Sequence, residues 1–252
     1  MSISDVELVI NAAEKYGFNL EFKTKNLFEM KGYLTEINKL YYYEGEPLEL
    51  DVQAKLHDRL FLVECKGTAS NSMLILVKDP DNSELLYSRR SIENHNSRIM
   101  GFGGAGRFCT FTGDFFTKEQ HHLKKLSKND TENNFYKAQT QISNALCAVS
   151  STIQNSSNAE NKPIHIMPLI VTNAQIWVID YEQDPISATH HKWVKHKVVS
   201  NTKLPLLSKD KKVFTYLANI VNINHLKDFL DKSFNMNRSD MTVDNLNNTL
   251  VE

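Results

Sequence analysis

The segment from Leu48 to Gly67 constrains this chain most, because it alternates like a β-hairpin yet carries charges where it should be most apolar. Successive side chains on a strand point to opposite faces. On that period Leu48, Leu50, Val52, Ala54 and Leu56 share one face, and Glu49, Asp51, Gln53 and Lys55 share the other. His57-Asp58-Arg59 turns the chain into a second strand ending at Lys66, from which Glu64 and Lys66 project on one side and Phe61, Val63 and Cys65 on the other. Unpaired charge at the end of such a run is costly. The cost is relieved if Asp51 and Glu64, on adjacent strands, converge on a divalent cation beside Lys66.

The surrounding pattern is that of an α/β protein. Residues 4–16 read as a helix, with Ser4 and Glu7 spaced as a capping box, Val6, Val9, Ile10 and Ala13 on one apolar face, and Gly17 at its end. Lys39 to Tyr43 extends the meander on its N-terminal side. Met73 to Val77 reads as a strand, and Met100 to Gly106 as a flexible loop or glycine-rich hairpin. Helical spacing returns over 133–154 with Phe135, Ala138, Ile142, Ala145, Leu146 and Val149. Strands follow at Ile164 to Val171 and Gln175 to Tyr181. Val213 to Val221 and His225 to Phe234 read as helical or mixed. A single domain over 1–235 is expected, with an insertion at about 68–134 and a polar tail over 236–252: helices against a mixed central sheet.

Bulk properties exclude some roles. The 252 residues carry a formal net charge of −1, so contact with a polyanion must use local patches or metal ions. Cys65, Cys109 and Cys147 lack the spacing of a zinc site or disulfide framework, which favours a reducing cytoplasm. The start has neither the basic residues nor the apolar block of a secretory leader, and no apolar run reaches membrane-spanning length.

The hairpin suggests a specific chemistry. Mg²⁺ prefers hard oxygen ligands and keeps several waters, so one or two carboxylates suffice. Asp51 and Glu64 supply them, and the Cys65 carbonyl is a candidate third oxygen. Lewis acidity at that point, with Lys66 orienting water or stabilising charge, suits hydrolysis of a phosphodiester. The alternative for the same residues is a half-exposed salt-bridge network on a sheet face.

These motifs resemble the PD-(D/E)XK nuclease superfamily, which has the restriction-endonuclease-like fold. The resemblance rests on Leu50-Asp51, Val63-Glu64-Cys65-Lys66-Gly67, an N-terminal helix with Glu7 or Glu14 ahead of Gly17, a later helix with Gln139 and Gln141, and the paired strands of Pro168 to Val178. It covers about residues 4–181 and implies a restriction-endonuclease-like α/β domain. It also implies a Mg²⁺- or Mn²⁺-dependent nuclease, acting on DNA by preference, in restriction, anti-phage defence or repair. Asp51 and Glu64 would be metal ligands and Lys66 the catalytic lysine. Glu7 would approach from the first helix, and Gln139 or Gln141 would lie near the site: Gln141 borders the apolar face set by Ile142, Ala145 and Val149, while Ala138 brings Gln139 close to it from the other side. Leu50 stands where the superfamily's name places proline. A homodimer would suit double-strand cleavage, and a partner protein would suit a defence system. The alternatives are an RNA-cleaving enzyme or a non-catalytic module that binds nucleic acid or protein.

Arg107, after the glycine-rich run, and Lys124 and Lys125 in a basic segment are candidate phosphate contacts. Lys192 and Lys195 flank Trp193 in a second basic run that could track phosphates and stack a base. Cys65 should face away from the charges, as a core residue.

Overall fold

The computed structural model describes residues 4, 6–8, 18–43, 45–68, 72–78, 99–102, 108–116, 134–155, 164–200 and 214–234. Arg107, Lys124, Lys125, Glu14 and Gly17 lie outside them. Among the described residues the order is α1 (Phe18–Glu29), β1 (Leu34–Tyr43), β2 (Glu46–Leu56), β3 (Arg59–Lys66), β4 (Met73–Lys78), β5 (Ile99–Phe102), β6 (Phe108–Phe116) and α2 (Asn134–Asn155). Then come β7 (Ile164–Thr172), β8 (Gln175–Asp180), β9 (Ser187–His191), β10 (Trp193–Ser200), β11 (Phe214–Asn222), a 3₁₀ turn at Ile223–His225, and α3 (Leu226–Phe234).

All strands join one mixed sheet in the order β1-β2-β3-β7-β11-β10-β6-β4-β8-β9, with β5 also pairing β7. Strand β3 runs parallel to β7, and β4 runs parallel to β8. Only Asn173 and Ala174 separate β7 from β8, although the two are far apart in the sheet order. The parallel pair β3/β7 is therefore taken up again, beyond a break, as the pair β4/β8. Three strands of this sheet come from the segment between β3 and α2.

Helix α2 packs on one face of the sheet. Phe135, Ala138, Ile142 and Leu146 bury there against Leu60, Leu62 and Ile170. Helices α1 and α3 cover the other face, where Phe28, Phe61, Val63, Leu226 and Phe229 share a second core. Phe28, Tyr33 and Phe61 form an aromatic cluster with ring centroids 5.1 to 5.6 Å apart, adding edge-on attraction to the burial of large apolar surface. Among the described residues no helix is long and apolar enough to cross a membrane.

The structure corrects two expectations. Phe214–Asn222 is a strand, not a helical or mixed segment. It lies between β7 and β10, and from Tyr216 to Asn222 it is buried on both faces, so strand alternation does not show there. Second, the apolar residues of β2 do not all serve one core. Leu50 packs with the α2 side, but Val52 and Ala54 pack with the α1 side. The changeover falls at Asp51, next to Asn38 of β1, whose φ of 51° departs from strand geometry. A helix not expected from the indistinct sequence pattern, Phe18–Glu29, lies over the motif strands, while the helix expected over 4–16 is described only at residues 4 and 6–8 and its remainder lies outside the described residues.

Candidate functional site

The β2/β3 ladder runs from Leu56↔Arg59 to Val52↔Val63, and one step further Asp51 comes level with Glu64. There a side chain takes over from the main chain: Asp51 Oδ2 accepts the Cys65 N–H at 2.6 Å. Glu64 has the parity of Leu60 and Leu62 and so points beneath α2, where it is 0% exposed. Lys66 Nζ donates to Glu64 Oε1 at 2.6 Å and to Gln141 Oε1, from α2, at 3.1 Å. Asp51, Glu64, Lys66 and Gln141 thus form one cluster.

Electrostatics mark the cluster as under-compensated. Burial, then the neighbouring Asp51 charge, pushes the Glu64 pKa up to about 8 despite the Lys66 ammonium. Burial also raises Asp51, against the opposing pull of the Cys65 N–H and Lys66. Glu64 Oε2 is buried and receives no hydrogen bond from any N–H or hydroxyl group among the described residues; the Asp51 carboxyl beside it can bond only to its protonated form. An orphaned carboxylate oxygen beside a second carboxylate is what a hard cation would satisfy.

The main chain adds a third oxygen. Thr172 Oγ1 donates to the Lys66 carbonyl at 2.9 Å, so that carbonyl faces β7. Carbonyls alternate along a strand, and a residue's N–H and C=O point to the same side. The Cys65 carbonyl therefore faces the β2 flank, where Asp51 already holds the Cys65 N–H. These donors fit Mg²⁺ or Mn²⁺, which takes one or two carboxylates plus waters. Among the described residues no three His, Cys, Asp or Glu side chains gather as a metal cage.

The Cys65 side chain turns the other way, into the α1 core, with Sγ 3.7 Å from Thr24 Oγ1. Burial raises its thiol pKa well above the ordinary value, so it is no ready nucleophile.

Other expectations divide. Glu7 does not join the cluster: it is exposed and accepts hydrogen bonds from Ser4 N at 2.9 Å and Ser4 Oγ at 3.1 Å, completing its capping box. The acid that α1 brings near is Glu21, whose pKa burial raises first and the Asp51 charge second. Leu20, Thr24 and Phe28 form the buried stripe of α1 and Glu21 borders it, but exposed Phe18 and Phe22 blur that stripe in the sequence.

Of the two glutamines, Gln141 reaches Lys66. The Gln139 carbonyl instead receives Ser143 Oγ at 2.7 Å and Tyr216 Oη at 3.3 Å, and those two hydroxyls lie 2.8 Å apart. Tyr216 thereby ties α2 to β11 two residues from Gln141, on a helix already seated by its apolar face. Tyr216→Phe is expected to cost about 1–2 kcal/mol, measured by urea unfolding, because it leaves buried acceptors short of a donor.

The basic run at β9 and β10 is not the surface strip expected. Lys192 is exposed, but Lys195 is only 7% exposed, with its pKa lowered to about 8 by burial. Trp193 packs edge-on against Phe229, with ring centroids 5.9 Å apart, and belongs to the α1/α3 core. Strand β10 lies inside the sheet with β11 and β6 on its flanks, which accounts for both placements.

Nothing matches the chain among family models, curated proteins or solved structures.

Proposed function

We propose that the protein is a metal-dependent nuclease that hydrolyses phosphodiester bonds, DNA by preference, on a restriction-endonuclease-like variant of its α/β sheet. One observation carries the reading: a buried carboxylate with a partnerless oxygen is set against a second carboxylate and a lysine, at the end of paired strands. Asp51, Glu64 and the Cys65 carbonyl would hold Mg²⁺ or Mn²⁺, which when bound supplies Lewis acidity toward a phosphoryl oxygen and the attacking water. Lys66 then turns its ammonium to the charge that builds on the phosphoryl group. Gln141 keeps that ammonium from swinging into solvent. Asp51 keeps the Cys65 peptide, and with it the carbonyl donor, in place. A role in restriction, anti-phage defence or repair accords with the family resemblance, and a second copy would serve double-strand cutting.

The test is cleavage of plasmid, single-stranded DNA and structured RNA with Mg²⁺ or Mn²⁺, and with EDTA. Cutting of RNA alone would make the protein a ribonuclease. Failure on all three would favour a non-catalytic binding module, in which Lys66 and Glu64 are only a buried ion pair. Lys66→Ala is expected to remove turnover while leaving Mn²⁺ affinity equal or improved, since a competing positive charge next to Glu64 is gone. Calorimetric titration reads this directly, and lost Mn²⁺ binding in that variant contradicts the assigned roles.

A further inference from the structure

The break between the strand pairs β3/β7 and β4/β8 lies immediately after Lys66, where a parallel ladder should lose its rungs. One side chain supplies them. Asn173 Oδ1 accepts the Thr68 N–H at 2.8 Å and the Thr68 hydroxyl at 2.9 Å, while Asn173 Nδ2 donates to the Thr68 carbonyl at 2.8 Å. The carboxamide thus pairs with the Thr68 main chain as a neighbouring strand would. Thr172 holds the Lys66 carbonyl on the other side of Gly67 and also accepts the Ala174 N–H at 3.1 Å. The turn is anchored in its turn by Asn222 of β11, which donates to the Ala174 carbonyl at 2.7 Å. Gly67 is exposed, and no side chain of its own limits its rotation. Without these clamps the chain would be free to pivot one residue beyond Lys66.

We propose that Asn173 is a positioning residue, which fixes the Lys66 ammonium by clamping Thr68 across the break. This rests on the nuclease reading for its catalytic meaning, but the clamp itself is measurable without activity. Displacement of a reacting group by about 1 Å can cost on the order of 10²-fold in rate. Asn173→Ala is therefore expected to lower kcat by about ten- to a hundredfold with KM within about twofold. Asn173→Asp keeps the acceptor for the Thr68 N–H but sets a carboxylate oxygen against the Thr68 carbonyl in place of the donor, so it should lose at least as much as Asn173→Ala. Thr68→Ala removes the hydroxyl bond but leaves both main-chain bonds in place, so its loss should be smaller than that of Asn173→Ala.

The independent readout is the rate at which an amine-acylating reagent modifies Lys66, followed by peptide mass spectrometry on the metal-free full chain. Lys66 is 20% exposed and held by two acceptors, so it should react slowly in the wild type. It should react several-fold faster in Asn173→Ala, and faster than the wild type in Asn173→Asp as well. If Asn173→Ala does not fold by circular dichroism, the Asn173→Asp rate decides alone. Unchanged Lys66 reactivity overturns the proposal, whether or not cleavage falls. Faster labelling in a protein whose wild type cuts no nucleic acid upholds the clamp and removes the nuclease reading instead.

Discussion

Glu64→Ala is expected to reduce metal-dependent cleavage by on the order of 10³-fold while leaving the fold intact by circular dichroism. A bound metal contributes several kcal/mol of charge stabilisation to phosphoryl transfer, and about 4 kcal/mol corresponds to that factor. Few other substitutions at the site should do as much, because Glu64 is the fully buried member of the pair and the one with an orphaned oxygen. The fold should survive, since the change removes a carboxyl group that burial already penalises. The lost volume and the lost partner of Lys66 cost some stability, but they leave the two sheet-face cores complete. Purified variant and wild type, assayed on plasmid with Mn²⁺, decide the matter. Equal cutting by both would place the activity elsewhere or in a contaminant.

The second large effect is on stability against pH in the metal-free protein. Glu64 moves from an ordinary value of 4.5 to about 8 on folding, so between those values the native state holds a proton that the unfolded chain releases. A raised folded pKa gives stability that is full below 4.5 and is lost as pH climbs through about 8. Asp51 is raised as well and acts in the same direction, the two titrating as a pair. The window amounts to roughly 3–5 kcal/mol. Urea unfolding in EDTA at pH 5 and pH 8.5 should therefore show the wild type losing that much more than Glu64→Gln, whose amide carries no proton to lose. Mn²⁺ should restore stability at the alkaline end and release protons as it binds nearer neutrality. Parallel pH profiles for wild type and Glu64→Gln would remove Glu64 as the source.

What could be read in advance follows the range of the forces involved. Period-two alternation places Glu64 and Lys66 on one face and Cys65 on the other, and the ladder and the two cores bear out that local geometry. Period 3.6 over 133–154 puts Gln139 and Gln141 on opposite borders of the buried stripe without choosing between them, and it is the packing that takes Gln141 to Lys66. Both periods are short-range consequences of backbone geometry. The same logic misjudges Lys195, because a basic strand looks exposed until β6 and β11 pair on its two flanks. It also misjudges Phe214–Asn222, where the uniform burial of Tyr216 to Asn222 erases any period.

The local order of residues by itself determined that a hairpin would carry two acids and a lysine into apolar surroundings, and that a helix would follow bearing glutamine on a buried edge. Only the assembled sheet decided that α1 brings Glu21 rather than Glu7 toward them, that Asn173 grips Thr68 across more than a hundred residues of chain, and that Tyr216 ties β11 to α2. The reason is physical. Alternation is dictated by each residue's own backbone, whereas a hydrogen bond between distant segments exists only once hydrophobic burial has brought them together.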